Sequence, residues 1–180
     1  SLAHTHLGNV FVEESKPDSA LLHYEKALEI NPANKTALTN RASVYFQQGR
    51  YTAAIHNYKK IISIYSKEPD AYAGIGLCYY SQDKYDSALL YYNKYQALDS
   101  SNADMYVNIG LAKHRLGKYN DALKDYNKAI VISPSLADAF TKRGVLKFEM
   151  HDTTGACMDW HEASKLGVSD VSSIIQTYCK

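Results

Sequence analysis

The stretch ADMYVNIGLAKHRLGKYNDALKDYNKAIVISPSL, residues 103 to 136, contains two helical periodicities and one break. Met105, Ile109, Ala112 and Leu116 recur at the three-and-four spacing of a single helical face. Leu116-Gly117-Lys118 interrupts the run, and Ala122, Leu123, Tyr126 and Ile130 then repeat the spacing. The stretch therefore reads as two amphipathic helices joined by a tight turn. The same pattern returns at a fixed interval on both sides. Tyr24, Tyr58, Tyr92 and Tyr126 are 34 residues apart, and the next step lands on Trp160. Ala20, Ala54, Ala88, Ala122 and Ala156 keep that step, as do the small residues Gly8, Ala42, Gly76, Gly110 and Gly144. No insertion disturbs the count, so five units are predicted at 1–34, 35–68, 69–102, 103–136 and 137–170, followed by a tail at 171–180.

A lone 34-residue unit is below the roughly 40 residues that usually fold unaided, so each must bury its open face on the next. The small residue and the Ala of each unit let two helix backbones approach closely, and the aromatic one turn later fills the space beside them. Pro17, Pro32, Pro69 and Pro134 fall at unit junctions or at the start of a second helix, where a missing N–H costs little. In the tail, Val171, Ile174, Ile175 and Tyr178 form one stripe, with Ser172, Ser173, Gln176, Thr177 and Lys180 opposite. That predicts a short capping helix with a wet outer face. Val10 occupies the place later taken by Val44, Cys78, Ala112 and Leu146, a set expected to face the preceding unit. The chain opens on Ser1 rather than Met, so a preceding segment or a second molecule is expected to cover that face.

Leu7-Gly8, Phe11, Ala20, Tyr24 and Pro32 in the first unit resemble the tetratricopeptide repeat, a 34-residue helix-turn-helix family. Tyr72, Ile75-Gly76, Tyr79, Ala88 and Tyr92 repeat the resemblance in the third unit, and Tyr106, Ile109-Gly110, Ala122, Tyr126, Ala129 and Pro134 in the fourth. The resemblance implies an all-α fold, a right-handed α-solenoid of five such units plus a C-terminal capping helix.

Composition narrows the function classes. The 180 residues are 46% hydrophobic and 22% charged, with 20 Lys and Arg against 19 Asp and Glu, so a net charge of +1 offers nucleic acid little to hold. The most apolar stretch, Ala71 to Tyr80, is about half the roughly 20 residues of a spanning helix. No membrane insertion is expected. The chemistry of enzymes is also missing from the sequence. Gly74-Ile75-Gly76 lacks the third glycine of a dinucleotide loop and sits within a helical pattern. His161-Glu162 meets Lys165 where a zinc protease needs a second His, while His4 and His6 point to different sides of a helix. Neither a phosphate loop nor a serine elbow is present. The chain is therefore not expected to be an enzyme, and no cofactor or metal site is expected.

In tetratricopeptide proteins the first helix of each unit lines a concave groove where peptides bind. The resemblance places there Asn9, Asn40, Phe46, Gly74, Leu77, Tyr80, Val107, Asn108, Leu111, His114 and Lys142. Eleven of the sixteen tyrosines stand at the repeat's own aromatic positions, so Tyr80, which does not, draws notice. Chaperone-binding members close a basic clamp on a C-terminal carboxylate. The corresponding residues here are Thr5, Asn9, Asn40, Asp70 and Gly74, or Ala73, Leu77, Asn108, Asp138 and Lys142, and neither set is basic enough. The expected function is a scaffold or adaptor holding a protein or peptide segment mainly by apolar contact. The alternative is a structural element that self-associates into a homo-oligomer, or continues a longer solenoid, through the N-terminal face.

Three cysteines, at 78, 157 and 179, are too few for a disulfide scaffold. A second helix of unit five ending near Lys165 or Leu166, followed by an antiparallel cap from Val171, would set Cys157 and Cys179 at nearly equal height. Equal height leaves open a bond or two reduced thiols. The spacing of Gly155-Ala156-Cys157-Met158-Asp159-Trp160, Leu166-Gly167 and Tyr178-Cys179 also resembles the closing unit of bacterial tetratricopeptide proteins, many of them exported. A bond would favour a location outside the reducing cytoplasm, and Cys78 is expected to be a buried free thiol.

Overall fold

The computed structural model describes residues 1–179. Lys180, assigned above to the wet side of the capping helix, lies outside the described residues. Among the described residues all regular structure is helical: α1 (Leu2–Glu13), α2 (Pro17–Ile30), α3 (Lys35–Gln47), α4 (Tyr51–Ile64), α5 (Pro69–Tyr80), α6 (Tyr85–Gln96), α7 (Ala103–Arg115), α8 (Tyr119–Ile132), α9 (Ala137–Glu149), α10 (Thr153–Lys165) and α11 (Ser172–Tyr178). None of them is long and apolar enough to cross a membrane.

Helices pair in sequence as hairpins: α1 with α2, α3 with α4, α5 with α6, α7 with α8, and α9 with α10. Each turn contains one residue in the left-handed region, at Ser15, Gly49, Asp83, Gly117 and His151, again 34 apart. Only two of the five are glycine, so the Gly117 break recognised in the sequence is one instance of a feature that residue type hides elsewhere. Pro17 and Pro69 occupy the first positions of α2 and α5. The Asn34, Asn102 and Asp152 side chains accept the backbone N–H of Ala37, Met105 and Gly155 at the starts of α3, α7 and α10.

The hairpins close as the small residues require. A Cβ on Gly8 would lie 2.4 Å from the Tyr24 ring, and one on Gly76, Gly110 or Gly144 would strike Tyr92, Tyr126 or Trp160 in the same way. Those four aromatic rings are buried.

The chain divides into two compact units, Ser1–Leu98 and Asp99 onward. In the first, α2, α3, α4 and α5 contribute to one buried cluster that includes Tyr24, Leu38, Ile61 and Ile75. Ile61 is fully buried although Ala27 and Ala129 hold the equivalent places, so the extra bulk is absorbed. In the second, one cluster forms around Val107, Tyr126 and Leu146, and another around Trp160, Ala163 and Val171. A disulfide joins Cys157 of α10 to Cys179, just past α11, with Cα atoms 5.5 Å apart. α10 ends at Lys165 and Gly167 follows at φ 97°, the stop that brings the cap back onto α10. Cys78 is a buried free thiol whose pKa burial pushes up to about 11.

Candidate functional site

The first helices carry the residues expected to meet a ligand, and within each compact unit clefts open between neighbouring first helices. In the first unit, α1 and α3 are linked through Asn9. Its Oδ1 accepts a hydrogen bond from the Tyr24 hydroxyl at 2.8 Å and another from Asn40 Nδ2 at 2.7 Å. Burial raises the Tyr24 pKa above the ordinary phenol range, and the bond with Asn40 pulls it partly back. The two asparagines thus fix one another on the wall of a cleft of about 310 Å³, beside Val12, Ser43 and Gln47. Asn9 Oδ1 is doubly used, so the amide groups left to meet a peptide are Asn9 Nδ2, Asn40 Oδ1 and the second N–H of Asn40 Nδ2.

In the second unit, α7 and α9 enclose a cleft of about 380 Å³ lined by Leu111, His114, Arg115, Tyr119, Lys142, Val145 and Glu149. His114 spans it, with Nε2 2.8 Å from Glu149 Oε2 and its ring edge-on to Tyr119 at 5.5 Å. Lys142 Nζ lies 3.5 Å from Asp138. Leu111 and Val145 supply an apolar floor, and the charged and polar groups form the rim.

Of the predicted groove residues, the structure brings Asn9 and Asn40 together, and separately Leu111, His114 and Lys142. Asn108 is half-buried on α7. Phe46 is half-buried with its ring tilted on Tyr51, Tyr80 stands edge-on to Tyr85, and Leu77 is exposed. Two assignments need correction. Val107 is 3% exposed and belongs to the buried cluster with Tyr126 and Leu146, so it holds hairpins together and cannot meet a ligand. Gly74 is taken up by packing as well: a Cβ there would lie 2.4 Å from the Tyr58 ring, which fills the place a groove side chain would need. Arg115, Tyr119 and Glu149 were missed because the resemblance picks out set positions of the first helices: Arg115 and Glu149 are the last residues of α7 and α9, and Tyr119 begins α8, a second helix.

A second polar pair was also missed, because its members are nineteen positions apart. His4 Nδ1 and His23 Nδ1 are 3.1 Å apart across α1 and α2, and Phe11 stacks on His23. Among the described residues no group of three or more His, Cys, Asp or Glu side chains could hold a metal ion.

A family model described as Tetratricopeptide repeat matches residues 35–101, and a second, described as TPR repeat, matches residues 8–49 and 113–150. Together they span more than half of the chain, which belongs to the tetratricopeptide repeat family. No curated protein sequence matches it. Among solved structures it is similar to MamA, at 24% identity and a TM-score of 0.80 over 89% of this chain and 94% of that one. It is similar to YrrB, described as a TPR protein with an unusual peptide-binding site, at 21% identity and a TM-score of 0.71 over 91% and 84%. It also resembles pilF of Pseudomonas aeruginosa, at 19% identity and a TM-score of 0.82 over 96% and 79%. At these identities the likeness concerns the fold alone. Tetratricopeptide proteins generally mediate protein–protein interactions.

Proposed function

We propose that this chain is a binding module rather than an enzyme, and that it holds a peptide segment of a partner protein against its first helices. The observation that carries the reading is the α7–α9 cleft, where three residues chosen from the sequence, Leu111, His114 and Lys142, line one concavity. Its floor is apolar and its rim can donate and accept hydrogen bonds, the combination that gives a peptide anchor affinity and orientation. Burying a Leu- or Phe-sized anchor on Leu111 and Val145 contributes roughly 1.5 to 3 kcal/mol, against about 0 to 1 for an exposed ion pair. Affinity should therefore depend weakly on salt. YrrB, with a similar fold, is described as having a peptide-binding site, which supports the reading.

The test is selection from a displayed peptide library on the whole chain, followed by titration of the selected peptides against Leu111→Asp and Lys142→Ala. Loss of at least tenfold with Leu111→Asp, and a smaller loss with Lys142→Ala, is expected. Peptides that bind both variants as tightly as the parent, or whose affinity collapses between low and physiological salt, would defeat the apolar-cleft reading.

A further inference from the structure

The disulfide does not lie in the core. Cys157 and Cys179 are both partly exposed, and they line a cavity of about 530 Å³ between α10 and the end of α11. Met158 and Tyr178 on its rim are exposed, so the cavity opens to solvent beside the sulfurs. Cys78 is the opposite case: fully buried, with its pKa pushed up to about 11, it is an inert thiol.

His161 shares the cavity with the two sulfurs. It stands four residues after Cys157, one turn further along the same face of α10. Its Nδ1 lies 2.7 Å from the Cys157 carbonyl oxygen, and a carbonyl only accepts, so Nδ1 carries a hydrogen and Nε2 is the nitrogen left for the cavity. The other charged groups that α10 contributes are Glu162 and Lys165, which neutralise one another with Lys165 Nζ 2.9 Å from Glu162 Oε2. α11 and the residue after it add only Tyr178 and Cys179 to the lining. Among the described residues of the cavity, His161 is thus the one of a type that changes charge near neutral pH. Apart from the bond, α11 is held lightly. It is seven residues long, far short of the roughly 12 to 15 at which an isolated helix persists, and none of its residues is fully buried.

We propose that Cys157–Cys179 is a reversible thiol–disulfide exchange site, worked by a dithiol and assisted by His161, and that it sets how firmly α11 is held on α10. One thiolate of the dithiol attacks Sγ of Cys179. The S–S bond breaks, and Sγ of Cys157 leaves with the electron pair and takes a proton from the His161 imidazolium. The second thiolate of the dithiol then attacks its own sulfur in the mixed disulfide and releases Cys179 as a thiolate, which water protonates. Water also returns the proton to His161. Two electrons and two protons thereby pass to Cys157 and Cys179 as thiols, and the dithiol leaves as its own disulfide. Attack at Cys179 leaves the departing sulfur on the helix that carries His161, where a neighbouring cation favours the thiolate, and puts the mixed disulfide at the end of a short helix, where the second thiolate can reach it. The exchange uses neither peptide cleft, and its failure would leave that reading untouched.

Reduction of the whole chain by dithiothreitol without urea tests this, with products trapped by alkylation and weighed, and the rate constant divided by the fraction of reductant present as thiolate. The rate should rise in proportion to dithiothreitol, and oxidised glutathione should re-form the bond. The thiolate-corrected rate constant should fall about tenfold from about pH 6 to about pH 8 as histidine gives up its charge, less than the roughly 10²-fold of a fully positioned general acid because the cavity is open. His161 is exposed, so His161→Gln should keep the urea midpoint of the oxidised chain while removing that pH slope. On reduction, amide hydrogen exchange should quicken in α11 and stay unchanged in Ser1–Leu98. A bond that is reduced only in urea, or at a rate that levels off with dithiothreitol because the chain must first unfold, would overturn the proposal. So would a pH slope that His161→Gln retains, or α11 exchange that reduction leaves as it was.

Discussion

Ser15, Asp83 and His151 hold at φ 57°, 57° and 64° the turn conformation that Gly49 and Gly117 reach at 71° and 72°. A Cβ in this left-handed region crowds the following carbonyl, at a cost of roughly 1 to 2 kcal/mol for a non-glycine residue. Ser15→Gly should accordingly raise stability by about 1 kcal/mol, read as a higher urea midpoint at unchanged slope, once the greater entropy of glycine in the unfolded chain is offset. Asp83→Gly should gain less, because the Asp83 carboxylate accepts a hydrogen bond from the Tyr85 hydroxyl. The opposite sign is expected at Gly110. A Cβ there would sit 2.6 Å from the ring of Tyr126, itself fully buried and unable to swing aside, so Gly110→Ala should destabilise by about 1 to 3 kcal/mol despite alanine's better helix propensity. At His23, burial, then the neighbouring His4, then Lys26 hold the pKa below the ordinary histidine value. The unfolded chain therefore binds the proton more readily than the folded one. Stability should fall as pH drops from about 6.5 toward the lower folded value, and His23→Gln should flatten that part of a pH–urea profile.

One slot between the two helices of a hairpin shows how an element position can keep its geometry and change its chemistry. Phe11 stacks on His23 and Tyr79 on Tyr91; at the same register Lys113 pairs with Asp125 at 2.6 Å and Lys147 with Asp159 at 2.8 Å. In the last hairpin Arg143 joins, donating two hydrogen bonds to Asp159, which is almost fully buried. Asp159→Asn would leave two part-buried cations without a counter-charge and should cost about 3 to 5 kcal/mol, seen as an early denaturant transition. Replacing Lys113 and Asp125 together by tyrosine, the pair used at 79 and 91, should cost much less than removing Asp125 alone. The sequence shows the slot's spacing but not its pairing, since the resemblance fixes small and aromatic positions and leaves this one variable. The left-handed turns were hidden for a related reason: glycine marks them at 49 and 117, and Ser15, Asp83 and His151 carry no such mark.

Over the whole molecule, the helix pairs and their 34-residue step were legible because close approach at Gly8, Gly76, Gly110 and Gly144 leaves little choice of residue. The clefts were legible in part. Leu111, His114 and Lys142 could be placed on one side of two helices, but whether a residue at such a position lines a cleft or packs in a seam depends on depth, which Val107 and Gly74 show periodicity does not report. The place of the disulfide separates the two compact units in their response to reduction. Cys157–Cys179 closes a loop with a sequence separation of 22 entirely within the unit that begins at Asp99. In the chain-entropy picture that closure contributes roughly 3 kcal/mol. Repeat arrays transmit stability mainly to neighbours, so the first unit should feel little of its loss. Trp160, the single tryptophan, packs with Val171 under the cap and reports on that end of the chain. In urea at low protein concentration, a reductant should move the Trp160 fluorescence midpoint down and leave an unshifted component in the far-UV signal, contributed by Ser1–Leu98. Coincident fluorescence and far-UV transitions that shift together would instead mean that the chain unfolds as one cooperative body.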